Sequence, residues 1–403
     1  MADAVDLDLV RNVLTLRYDP TKKNTFLPNL GWKDAVPEPA SATSEDVETR
    51  LKGIIKNFVN REKPASITLA LSGGIDSLLM LTLFREVFPD MKITCLSAGF
   101  SENDEEVNSA REIARHFGTD FETLILDNFL DNLPQQIAIV GEPKWHYYWF
   151  YVAQKAKRFS DILVTGDGGD ELFGGYVFRY KQYLDTIKPG DGWAARASTY
   201  LQCHNRDWVD DQEKMFGPAA RFDWKGIYNL LRGHFDNQLG SLEQVLLADY
   251  GGKLTYDWVP ALDKIHSHFD MKGFSPMLDH DLIRFAFHVP VEKKYDRSKN
   301  LGKLPLREIL GKKKFKSEFN KKGFSPDLSA FWKNHGKNLI RTYLGEDSRT
   351  VKNQLINKDW IPAALDRSEK DIRYVTKLLS VLALEVWYRL TISLELKETD
   401  RLF

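Results

Sequence analysis

The chain has 403 residues, with 56 Lys and Arg against 57 Asp and Glu for a formal net charge of −1. Hydrophobic residues at 43% and charged residues at 28% exclude wholesale disorder, and the charge balance gives no global case for a nucleic-acid or membrane-surface protein. Cys95 and Cys203 are too few for a disulfide scaffold or a four-cysteine zinc site, and no stretch approaches the ~18–20 apolar residues that span a bilayer, so a cytoplasmic protein is expected.

Residues 1–45 read as an irregular lead-in, because Pro20, Pro28, Pro37 and Pro39 interrupt any long helix. A helix is predicted from Ser44, the candidate N-cap, with Val47, Leu51, Ile54, Ile55 and Phe58 along one face. Ile67–Leu71 is a short apolar strand followed by Ser-Gly-Gly and a helical pattern through Phe88. Ile93–Ser97, Glu122–Leu126 and Ile162–Thr165 read as further strands, with helices over 104–117 and Ala153–Phe159. Strands alternating with helices predict an α/β fold, a parallel twisted sheet flanked by helices, over residues 46–180. Beyond about residue 180 the strand signals fade, and residues 181–403 read as a mainly helical portion that completes the substrate site.

Two strings carry chemistry. In Leu71-Ser72-Gly73-Gly74-Ile75-Asp76-Ser77, glycines let the backbone approach a phosphate, while the free N–H groups and dipole of the following helix attract an anion. Ser72 and Ser77 add hydroxyl donors and Asp76 can hold magnesium; the Gly-Lys-Ser/Thr ending of a Walker-type loop is absent. The second string, Thr165-Gly-Asp-Gly-Gly-Asp-Glu-Leu-Phe-Gly-Gly-Tyr176, follows the fourth strand, so it should open on the same crevice.

The first string resembles the pyrophosphate loop of the ATP pyrophosphatase family, and the second resembles a signature of the asparagine synthetase synthetase domain, shared with β-lactam synthetases. Gly141-Glu142-Pro143, Ser275–Asp279, Lys303–Arg307, Asn320–Phe324 and Leu382–Arg389 are similar to other segments of that family. The resemblance implies an adenine nucleotide alpha hydrolase-like sheet, ATP and Mg2+ as cofactors, and formation of an acyl-adenylate that a nitrogen nucleophile resolves to an amide. It also implies roles by position. Ser72, Gly73, Gly74, Asp76 and Ser77 would bind the pyrophosphate portion, Asp76 and Asp170 the magnesium, and the backbone of Leu71, Ala98 and Gly166 the adenosine. Asp167 would stand near the reacting carboxylate, and Lys321 would neutralise charge on the transferred groups. For Arg307 an anion contact and a structural pair are both open.

Some features depart from the family. Residue 2 is Ala and no cysteine precedes Cys95, so glutamine hydrolysis by an N-terminal cysteine is not expected. Nitrogen would come from ammonia, an amine, or a separate glutaminase subunit. Lys144–Tyr151 is strongly aromatic, which suits either a packed helix face or a pocket for something larger than aspartate, and Lys272 stands where the family more often has Glu. His146, a lone His among aromatics, reads as packed rather than as a base. Residues 293–322 carry a local net charge of +9, fitting a solvated face or a polyanion contact. The leading reading is ammonia-dependent, asparagine synthetase-like amidation of a small carboxylate. Alternatives are amidation or ring closure of a different, larger carboxylate, an RNA-modifying adenylating enzyme, and a non-catalytic nucleotide-binding partner. Neutral net charge argues against nucleic acid.

Overall fold

The structure, a computed structural model, describes residues 5–37, 43–101, 104–313 and 328–403. Five parallel strands form one sheet: β1 (Ser66–Ala70), β2 (Lys92–Gly99), β3 (Asp120–Ile125), β4 (Ile162–Val164) and β5 (Lys272–Phe274), in the order β3-β2-β1-β4-β5. The predicted parallel α/β sheet is therefore present. β4 is apolar along its length, and the central Ile67, Thr68 and Leu69 of β1 are buried like it on both faces, as parallel strands covered by helices on each side must be. β5 was missed by sequence reading. It is three residues long and includes Gly273, too short for a period-two pattern to register.

In chain order the helices that frame the sheet are α1 (Leu7–Leu16), α2 (Ser44–Glu62), α3 (Ile75–Val87), α4 (Glu105–His116), α5 (Leu133–Val140), α6 (Trp149–Ala156) and the single turn α7 (Gly169–Phe173). The region 1–45 is not wholly irregular, since α1 buries Leu9, Val10, Val13 and Leu14. Asp6 caps α1, its carboxylate accepting from the Leu9 N–H at 3.0 Å. The N-cap of α2 is Thr43 rather than Ser44. Asp46 accepts from the Thr43 N–H at 2.8 Å while the Thr43 hydroxyl accepts from the Asp46 N–H at 3.2 Å, a reciprocal box that Ser44 lacks the spacing to form.

Two large hydrophobic clusters hold this arrangement. One joins α2 and α3 to the sheet through Leu51, Ile55, Leu69, Leu79, Leu83 and Phe84. Cys95 lies in it, fully buried with its thiol pushed up to about 11 by desolvation, so it is packing rather than a nucleophile. The other surrounds the helix Ile372–Thr391, whose Leu378, Leu379, Leu382 and Leu384 meet α1 and α5. Each of those leucines contributes about 1.5–3 kcal/mol by leaving water. Among the described residues no helix is long and apolar enough to cross a membrane.

Candidate active site

The strand order reverses between β1 and β4, and at such a switch point the loops leaving the carboxyl ends of the strands diverge to open a crevice. Both glycine-bearing strings leave from there. Register pairs Leu69 with Val164, so the Ser72–Ser77 loop and the Gly166–Asp170 loop start side by side. They touch at Gly166, where an added Cβ would sit 2.7 Å from the Asp76 Cβ and 3.0 Å from the Ser77 nitrogen, so only glycine fits.

The first loop is held by its own serines. Ser77 Oγ accepts from the Ser72 N–H at 3.1 Å, and Ser72 Oγ accepts from the Gly74 N–H at 3.1 Å. Gly74 is the N-cap of α3 and offers no side-chain cap, so the first-turn N–H groups and the helix dipole are presented at the loop. The Leu71 N–H is used by the Leu96 carbonyl at 2.9 Å, which continues the β1–β2 pairing one residue further. Ala98 lies near the end of β2, paired with Leu124 of β3.

Asp167 is fixed at three points. Trp258 Nε1 donates to Oδ1 at 2.8 Å, the Thr165 hydroxyl donates to Oδ2 at 2.6 Å, and the Ser275 hydroxyl donates to its carbonyl at 2.7 Å. The Ser275–Asp279 segment thus braces the second loop, and Asp279 caps the next helix through the Leu282 N–H at 3.2 Å. Glu171 is buried and accepts from the Tyr176 hydroxyl at 2.6 Å. Burial, reinforced by the charge of Asp170, pushes its carboxyl up to about 7.

Asp76 and Asp170 meet around one ammonium. Lys303 Nζ lies 2.5 Å from Asp76 Oδ2 and 2.6 Å from Asp170 Oδ1. Sequence reading singled out the Lys303–Arg307 string without assigning Lys303 a part. Among twelve basic residues nothing local marks which are buried, and both Lys294 and Lys303 are. The arrangement fits a divalent cation: the donors are hard carboxylate oxygens, and a positive group already stands between them. Among the described residues there is no group of three or more His, Cys, Asp or Glu side chains that could hold a metal ion. Arg307 donates through Nε to the Gly302 carbonyl at 2.9 Å and lies within charge range of Asp76, so it borders the crevice while tied to its own loop. Lys321 and the Asn320–Phe324 segment lie outside the described residues.

A second wall was not foreseen. A π-helix, Tyr250–Trp258, follows Ser241–Asp249 and carries Trp258 to Asp167. Its Asp257 accepts from Lys144 Nζ at 2.9 Å and lies 3.4 Å from His146 Nε2. Lys144 also meets Glu142, which takes Lys22 Nζ at 2.6 Å. Lys253, one turn earlier on the π-helix, is lowered to about 8 by burial and by the charge of Arg17, with Asp257, Asp207 and Glu171 opposing. Arg17 itself donates to Asp207 at 2.8 Å. His146 is packed as expected, lowered to about 4 by burial and then by Arg17, and so neutral at pH 7. The aromatic segment is mostly packing: Trp145 and Tyr148 lie against Phe129 in one core cluster, Trp149 and Phe150 in another. Lys272 stands at the amino end of β5, away from the crevice, where it meets Glu62 at 2.5 Å.

A parallel sheet with two such loops at its switch point defines a nucleotide-binding α/β protein of the pyrophosphate-loop type. The chain belongs to the asparagine synthase family, whose model matches residues 59–389. It is 22% identical to asparagine synthetase [glutamine-hydrolyzing] 1 of Bacillus subtilis over 88% of this chain and 61% of that protein. A putative asparagine synthetase [glutamine-hydrolyzing] of Mycobacterium tuberculosis is 32% identical over 35% of this chain and 22% of its own length. The chain thus spans under two thirds of these relatives. Among solved structures, an NMN synthetase from Francisella tularensis is similar at 16% identity and a TM-score of 0.28, covering 58% of this chain and 97% of that one.

Proposed function

We propose that the protein is an ATP-dependent amide-forming synthetase. ATP would lie with its β,γ end on the Ser72–Ser77 loop, leaving the α-phosphorus open toward Asp167. A substrate carboxylate oxygen attacks that phosphorus, the bond from it to the bridging oxygen of the pyrophosphate breaks, and pyrophosphate leaves. Ammonia or an amine then attacks the acyl carbon, the carbon–oxygen bond to AMP breaks, and the nitrogen loses a proton. Magnesium, held by Asp76 and Asp170 with phosphate oxygens, would neutralise charge on the leaving pyrophosphate.

This chain's own groups have separate tasks in that sequence. The N–H groups opening α3 and the serine hydroxyls bind the leaving phosphates, since donors aimed at developing charge lower the barrier. Asp167, pinned by Trp258 and Thr165, supplies a fixed negative charge beside the acyl site, suited to positioning an ammonium or amine. Lys321 fits the same scheme as a cation for the departing groups. The observation that carries the reading is the close packing of the two loops at Gly166 and Asp76.

Lys253 of the π-helix, close enough to Asp257, Asp207 and Arg17 to feel their charges, supports a carboxylate bearing a second charged group, with aspartate the leading case. The test is ATP–pyrophosphate exchange over a panel of carboxylates, followed by product analysis with ammonia and with amines. Exchange dependent on one carboxylate is the expected result. ADP and orthophosphate as the only products would overturn it.

A further inference from the structure

The two carboxylates assigned to magnesium are already bridged. Lys303 is buried, and its ammonium makes short charge-assisted contacts to both, at 2.5 and 2.6 Å. Its position is set by the backbone as much as by the charges. Lys303 has a left-handed φ of 56°, its N–H donates to the Phe173 carbonyl at 2.9 Å, and it stands as the N-cap of the helix Leu304–Lys312. Gly175 walls the slot closely: a Cβ there would run into both the Asp170 carboxylate and the Lys303 Cε. Two loops and one helix start therefore converge on a single cation-sized place, and a lysine fills it.

A magnesium ion takes carboxylate oxygens at about 2.0–2.1 Å, which is the space this ammonium occupies. Metal and ammonium compete for Asp76 Oδ2 and Asp170 Oδ1, the two oxygens the ammonium holds. Like charges at contact distance repel, and a divalent ion doubles the repulsion that a monovalent one would feel from the ammonium. A free metal ion would have to displace a buried ammonium from both of its ion-pair partners. A metal ion bound to a polyphosphate brings that anion with it.

Resting on the nucleotide-site reading above, we propose that Lys303 is a placeholder cation. It closes the Asp76–Asp170 pair to free divalent ions and yields it only to a metal delivered with a polyphosphate, whose oxygens take over the ammonium. By linkage, metal and polyphosphate then tighten each other's binding by one common factor.

The test is a titration of the full chain with Mn2+ read by electron paramagnetic resonance, alone and with a non-hydrolysable ATP analogue. The wild type should bind Mn2+ at least tenfold more tightly with the analogue present. Lys303→Met should gain at least tenfold in affinity for Mn2+ alone, with a rise in its unfolding midpoint on adding Mn2+ that the wild type lacks. Adding Asp170→Asn to that variant should abolish both gains. Equal affinity of the wild type for Mn2+ with and without analogue overturns the proposal, as does a folded Lys303→Met that gains nothing. If Lys303→Met does not fold, Lys303→Gln replaces it, and the wild-type comparison still decides. No turnover enters these readouts. Coupling without any carboxylate-dependent exchange would overturn the adenylation reading alone, and exchange without coupling would overturn the placeholder alone.

Discussion

The two walls of the crevice are built on opposite plans. The wall proposed for the nucleotide comes from two short strings, each continuous in sequence, that offer glycine backbone, serine hydroxyls and two carboxylates. The π-helix wall is collected from Arg17, Glu142–His146, Asp207 and Lys253–Trp258, with Glu142, Lys144 and Asp257 buried and Arg17 paired to Asp207, each meeting partners from distant segments. The first plan suits the constant ligand that the proposed reaction requires, a nucleoside triphosphate. The second tolerates replacement pair by pair, so it is the wall on which a substrate preference can change without disturbing the nucleotide.

That contrast can be broken in order of expected effect. Asp170→Asn should cut the exchange rate by about a thousandfold or more with circular dichroism unchanged, since it removes a carboxylate proposed to hold the magnesium that neutralises the leaving phosphates. Asp257→Asn acts on the other wall and leaves Lys144 with Glu142 as its remaining ion-pair partner. It should cost about 3 kcal/mol in urea unfolding, as breaking a buried pair does, while the KM for ATP stays within about twofold. A tenfold change in that KM would erase the division between the walls. Gly166→Ala forces the two loops apart at Asp76, so the KM for ATP should rise about tenfold with a stability loss of about 1–3 kcal/mol.

The smallest effect is one of pH. Burial lowers His146, His234 and His266 to about 4 and His204 to about 3, so the unfolded chain binds more protons than the folded one below the ordinary histidine value of about 6.5. Stability from these groups is complete above pH 6.5 and is lost as pH falls toward 4, by on the order of 1 kcal/mol each. Glu171, raised to about 7, has the opposite sign: its contribution is present below the ordinary carboxyl value of about 4.5 and is lost as pH rises through 7. Unfolding midpoints should therefore fall as pH drops from about 6.5 toward about 4.5, and Glu171→Gln should steepen that fall by removing the opposing slope between about pH 4.5 and 7.

The same contrast explains what sequence reading reached. The strands, the parallel sheet and the pairing of Ser72–Ser77 with Asp167–Asp170 were legible, because an apolar run ending in glycines and acids specifies a turn over a few residues. Lys303 was not, since only the fold separates a buried lysine from its solvated neighbours; Lys313, ten positions on, merely bridges Glu48 and Glu86. Trp258 and Lys253 were hidden for another reason. They lie on a π-helix, whose altered period turns side chains away from the face that helical spacing predicts. The helix α1 was masked by the prolines that follow it, although its Leu9, Val10, Val13 and Leu14 already carry helical spacing.

The most direct measurement is isotopic. A carboxylate substrate labelled with 18O in both oxygens should, on turnover with ATP and the nitrogen donor, pass one labelled oxygen into AMP and retain the other in the amide. Unlabelled AMP, or label recovered in orthophosphate beside ADP, would contradict attack at the α-phosphorus.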